Sequence, residues 1–132
     1  MTLPLDPSVS AAVLNAVAAY AQALDAGRTD DLAALFTPDG VAEIVGSSAF
    51  TGRDAIREGY AAFAPSAPQL HLVANTVVTP ASEDEVTAVS DLAFLHRGKS
   101  GWRVQLTGRY DDTLRRTYEG WRFTRRVLTL SP

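Results

Sequence analysis

Residues 85–130 read EVTAVSDLAFLHRGKSGWRVQLTGRYDDTLRRTYEGWRFTRRVLTL, in which strand-forming runs alternate with tight turns. Two short glycine-bearing segments, GKSG (98–101) and TYEG (117–120), divide it into three runs rich in β-branched and aromatic residues. The run just upstream, QLHLVANTVVT (69–79), is separated from them by the turn sequence PASED and adds a fourth strand. Four long strands joined by hairpins predict an antiparallel meander. Gly108, inside the third run, predicts a bend or bulge that helps the sheet curl.

Upstream the period changes from two to that of helices. Asp6 followed by Pro7 predicts an N-cap and a first helical position, and Gly27 closes a helix that runs to about Ala26. Thr29 is expected to cap a short second helix, with Asp30 and Asp31 in its first turn. PDG (38–40) predicts a turn, VAEIV (41–45) a short strand, and RDAIREGYAAFA a third helix with Ile56, Tyr60 and Phe63 at helical spacing. PSAP ends that helix. Helices first and a long sheet after predict an α+β fold over residues 1–132, in one domain, with a curved antiparallel sheet wrapped around the N-terminal helices and a pocket between them.

Composition narrows the function classes. Apolar residues make up 46% of the 132 positions, enough for a core. The net charge of −3 argues against nucleic acid as the main partner, because phosphate binding needs a basic surface. No cysteine is present, which excludes disulfides, thiolate nucleophiles and cysteine metal sites. Two histidines without HxH or HExxH spacing give no metal signature, no glycine-rich phosphate loop follows a strand, and no G-x-S-x-G elbow occurs, so no cofactor is expected. MTLPLDPSVS lacks a basic stretch followed by an apolar run, and no stretch is long enough to span a membrane; a cytoplasmic protein is the expectation.

The first helix carries an anomaly. Val9, Val13, Leu14, Val17, Tyr20, Ala21 and Leu24 form one apolar arc at about 100° per residue. Asp25 lies at the edge of that arc and in the last turn, where the helix dipole disfavours a carboxylate. His71 shares a strand face with Val73 and Asn75, and His96 shares one with Ser90, Leu92 and Phe94, while Asp91 has the opposite parity. Tyr110 shares parity with Leu106 and Gly108. Five arginines fall between Arg115 and Arg126: either all serve a solvated pair of strands, or one turns inward to a site. Trp102 and Trp121, each after a turn glycine, read as packing residues, and Asp111 and Asp112, beside Arg115 and Arg116, as surface pairs.

The phrases YAQALDAGRTDDLAALFTPDG, FTGRDAIREGY, LHLVANTVV, GRYDDTLRR and GWRFTRR, in that order, resemble the SnoaL-like branch of the nuclear transport factor 2-like superfamily. The resemblance implies a cone with a central apolar cavity, and members such as polyketide cyclases, scytalone dehydratase, bile-acid dehydratase and hexachlorocyclohexane dehydrochlorinase. Asp25 and His71 match the aspartate and histidine that dehydratase and dehydrochlorinase members use, and Tyr20 matches the tyrosine of the bile-acid enzyme. Arg126, or Arg125 one register away, matches an arginine on the last strand of the dehydrochlorinase. His96 follows His71 by the 25 residues that separate two pocket histidines in scytalone dehydratase.

These readings converge on an Asp25–His71 dyad assisted by Tyr20, with His96, Tyr110, Arg126, Phe94 and Leu92 as ligand contacts. A carboxylate that fixes a histidine tautomer makes the other ring nitrogen a general base. The expectation is a cofactor-independent dehydratase, isomerase or cyclase acting on a small apolar cyclic, polyketide-like or terpenoid molecule, in a homodimer. The alternative is a non-catalytic small-molecule-binding module of the same fold.

Overall fold

A computed structural model describes residues 3–132. Three helices, α1 (Pro7–Asp25), α2 (Thr29–Ala34) and α3 (Arg53–Ala61), accompany six strands: β1 (Phe36–Ile44), β2 (Ser48–Thr51), β3 (Gln69–Pro80), β4 (Glu85–Gly98), β5 (Gly101–Thr117) and β6 (Gly120–Leu130). The ends of α1 form as the sequence dictates. The Asp6 side chain accepts from the Ser8 amide at 2.8 Å, Pro7 opens the helix, and Gly27 takes φ +70° just past its end. Thr29 does not cap α2: it is already helical, Arg28 occupies the cap position without a side-chain bond, and Arg28 instead pairs with Asp31 at 2.6 Å.

The strands form one curved, unclosed sheet in the order β2-β1-β6-β5-β4-β3. The expected meander is β3 to β6, antiparallel throughout. The sheet as a whole is not purely antiparallel, because β1 lies parallel to β6. The reason is that the chain crosses from one sheet edge to the other through α3 before β3 begins, so β6 returns beside β1 in the same direction. PDG (38–40) is not a free turn. It lies inside β1 as an outward excursion, with Phe36 opposite Phe123 and Val41 opposite Arg125. A Cβ on Gly40 would stand 3.1 Å from both the Phe123 carbonyl and the Phe36 ring, so the return of this excursion favours a glycine.

Val13, Val17, Tyr20 and Leu24 of α1 pack into the concave face against Phe36, Leu92, Tyr110, Leu114 and Phe123. Each such buried side chain contributes about 1.5–3 kcal/mol relative to exposure. Leu14, expected in the buried arc, is 45% exposed, because the sheet covers only the sector centred on Val13 and Val17. Trp121 is buried, but Trp102 lies at the far end of the β4–β5 hairpin, beyond the core, and is exposed.

Register shifts set which residues face inward. On β3 the shift between Ala74 and Val77 puts Asn75 at φ +58° and turns it outward to Asp91, 2.9 Å away, so that Thr76 continues the inner face and bonds Ser90. On β6 the shift between Phe123 and Arg125 leaves Thr124 unpaired and turns Arg126 inward and Arg125 outward. Gly108 is not at a shift. Its role is close approach: a Cβ there would stand 2.8 Å from the Thr129 carbonyl.

Candidate active site

Between α1, the loop after α3 and the concave sheet lies a cavity of about 580 Å³. Its walls are mainly apolar, with Leu24, Leu92, Phe94, Leu106 and Leu128 among them. The polar groups are few, and the largest converge: His71, His96, Gln69 and the three tyrosines Tyr20, Tyr60 and Tyr110. A concave apolar chamber with a few placed polar groups is the usual form of a small-molecule site.

Asp25 is the last residue of α1, and β3 runs past it. Its carboxylate accepts three hydrogen bonds: from His71 Nδ1 at 2.6 Å, from the His71 backbone amide at 2.8 Å and from Gln69 Nε2 at 3.2 Å. Three donors offset the unfavourable helix end and account for a carboxylate on a buried flank. A carboxylate only accepts, so Nδ1 carries the proton and Nε2 is the nitrogen left for a ligand. Both side chains are 14% exposed, consistent with a cavity wall rather than a sealed core. Phe94 fixes the imidazole from the next strand, with ring centroids 4.5 Å apart.

The tyrosines form the cavity's deep end. Tyr20 Oη donates to Tyr60 Oη at 2.7 Å, and the ring of Tyr20 meets those of Tyr60 and Tyr110 edge-on. Burial raises all three phenol pKa values, that of Tyr110 to about 12, so the hydroxyls stay protonated and act as donors. The sequence placed Tyr60 in the hydrophobic spacing of α3 but not in the site. Its partnership with Tyr20 spans 40 residues, and no local pattern signals it.

Leu92, Phe94, His96 and Tyr110 stand at the cavity as expected. Arg126 does not: it is fully buried behind the tyrosines, not in the lining. Its guanidinium Cζ lies 3.5 Å from the Tyr110 ring centroid, 4.2 Å from that of Tyr20 and 4.9 Å from that of Phe123. Its Nε is 3.1 Å from Asp112 Oδ1. Asp112, expected on the surface, is therefore buried as well. Tyr110, Asp112 and Leu114 alternate onto the inner face of β5, and that parity was the available signal. Arg125 pairs outside with Glu43. Burial pushes the Asp112 carboxyl up to about 6 against the pull of Arg126.

Among the described residues, no three His, Cys, Asp or Glu side chains converge on a point where a metal could be held, and no helix is long and apolar enough to cross a membrane.

The fold and this cavity are those of a known class: the chain belongs to the SnoaL-like domain family, matching it over residues 8–127. Solved structures with the same nuclear transport factor 2-like fold include three with appreciable sequence identity. A candidate aromatic-ring hydroxylase from Novosphingobium aromaticivorans is 28% identical over 98% of this chain and 94% of its own, with a TM-score of 0.84. A candidate scytalone dehydratase from the same organism is 26% identical over 93% and 84%, with a TM-score of 0.81. A protein of unknown function from Mycobacterium tuberculosis is 25% identical over 91% and 70%, with a TM-score of 0.83. Comparison with curated proteins gave no match.

Proposed function

We propose that this protein is a cofactor-independent acid/base enzyme, a dehydratase, isomerase or cyclase, acting on a small apolar cyclic, polyketide-like or terpenoid substrate. The observation that carries the reading is the 2.6 Å contact between Asp25 and His71 Nδ1 in the wall of an apolar cavity. His71 Nε2 takes a proton from a carbon beside a carbonyl, and Asp25 stabilises the imidazolium that forms. The electron pair of the broken C–H bond moves toward the carbonyl, whose oxygen gathers charge opposite the Tyr20–Tyr60 hydroxyls. In an elimination the pair then closes a C=C bond, and the leaving oxygen departs with a proton from a hydroxyl or from His96. In an isomerisation or ring closure the same pair attacks a second carbon.

The test is incubation with a panel of small cyclic ketones, polyketides and terpenoids, with ligand-dependent thermal shift and mass spectrometry on each mixture. A product lacking water, or an isomer, made by the wild type and not by His71→Ala supports the enzyme. Tight binding with every ligand returned unchanged would replace it with a carrier or sensor.

We also propose a homodimer through the outer sheet face, where Leu70 and Leu72 on β3 and Val104 on β5 are exposed to either side of β4. Sedimentation velocity of the wild type and Leu72→Glu tests it, and a wild type that sediments as a monomer would end it.

A further inference from the structure

The Arg126–Asp112 pair has no part in the dyad, yet it is the most completely buried charge in the described residues. Its geometry is odd for a structural ion pair. Nε and Oδ1 are 3.1 Å apart but misaligned, and Nε, both terminal nitrogens and both Asp112 oxygens have no hydrogen-bond partner. A buried pair held for stability alone is generally no better than apolar side chains of the same volume, and an unsatisfied one is worse. What the guanidinium does meet is aromatic: it lies over the faces of Tyr20, Tyr110 and Phe123. Two of those rings line the cavity on their other side.

We infer that Arg126 is a positioning residue that acts through the tyrosine rings, holding Tyr20, Tyr60 and Tyr110 as a donor floor for an oxygen that becomes anionic in the cavity. The inference rests on the acid/base reading of the site and narrows its substrate to molecules whose reacting carbon bears, or is conjugated to, such an oxygen. A cation against the π face of a phenol draws electron density from the ring and strengthens its O–H as a donor. The effect is large here because the medium between charge and hydroxyl is protein, not water. Tyr20 spends its proton on Tyr60, so the protons of Tyr60 and Tyr110 are the ones presented to a ligand. Asp112 opposes the effect: its negative charge lies behind the guanidinium and weakens the field that reaches the floor. The cation cannot itself touch the ligand, because it lies behind the rings and outside the cavity lining.

The experiment is equilibrium binding of two probes of like shape, 4-nitrophenol at a pH where it is ionised and 4-nitrotoluene, to four proteins. For the wild type, the phenolate is expected to bind at least about tenfold tighter than to the charge-free double variant Arg126→Met/Asp112→Leu, with 4-nitrotoluene changed less than about twofold. Asp112→Asn should shift phenolate affinity the opposite way, upward. Tyr60→Phe should lower the preference for phenolate. The double variant replaces both charges together, so it avoids an orphaned buried carboxylate. Equal loss of both probes would make the cage merely structural and overturn the inference. So would an unchanged phenolate affinity, or a wild type that does not hold the phenolate. Binding requires no turnover, so a failure of the dyad chemistry would leave this result standing, and turnover without phenolate preference would remove Arg126 alone.

Discussion

The molecule contains two buried pairings of an aspartate with a cationic or protonatable side chain, and they are built in opposite ways. Asp25 meets His71 at a cavity wall, with three donors pointed at its carboxylate. Asp112 meets Arg126 in a sealed layer between the sheet and α1, with good distance and poor alignment. The first is satisfied by the protein on one side and open to a ligand on the other. The second is closed to ligands and satisfied mainly by aromatic faces. Dense hydrogen bonding thus goes with a group that holds one tautomer in a fixed place. A charge that acts through space needs enclosure more than it needs partners.

The strongest way to break the contrast is His71→Ala. It should cut kcat/KM on a confirmed substrate by about 10²–10⁴-fold with the fold intact by circular dichroism. Arg126→Met should show first in stability. It should cost about 3–5 kcal/mol in urea unfolding, because it strands the Asp112 carboxylate, and Arg126→Met/Asp112→Leu should recover most of that. Asp25→Asn should lower kcat about tenfold or more while KM changes little, since the amide leaves binding and loses the stabilised imidazolium.

The pH dependence sharpens the second pairing. Asp112 titrates near 6 in the fold and near 3.8 when unfolded, so the native state holds its proton more tightly. Its contribution to stability is therefore full below about pH 3.8 and lost as pH rises through about 6. The stability difference between wild type and Asp112→Asn, followed by urea midpoints from pH 4 to 7, should fall across that window and level off above it. The smallest effect belongs to Arg125→Gln, one residue from Arg126. It breaks an exposed pair with Glu43 and should cost about 0–1 kcal/mol by the same urea measurement.

How much of this was legible in the sequence follows from the same contrast. Asp25 announced itself locally, as a charge at the wrong end of a helix, but its pairing with His71 came from the family resemblance. The α+β wrap was legible from the strand and helix periods, and the family order of phrases added the cone. Asp112 was legible from its alternation with Tyr110, but its neighbours Arg115 and Arg116 suggested a surface pair instead. The choice between Arg125 and Arg126 was not legible, because it depends on the unpaired Thr124, and a single extra residue reverses every side chain beyond it. The parallel pairing of β1 with β6 and the Tyr20–Tyr60 contact were likewise beyond local pattern, since both depend on where distant segments return.

That parallel pairing also orders events in time. β6 follows the other five described strands in the chain yet takes a central place in the sheet: it joins the β1–β2 hairpin to the rest and delivers Arg126 beneath the tyrosines. A nascent chain that has already formed α1, β1 and α3 therefore has an open core until β6 has been made. Folding waits on contacts of long sequence separation, which makes closure slow relative to helix formation and leaves the concave apolar face in need of protection meanwhile.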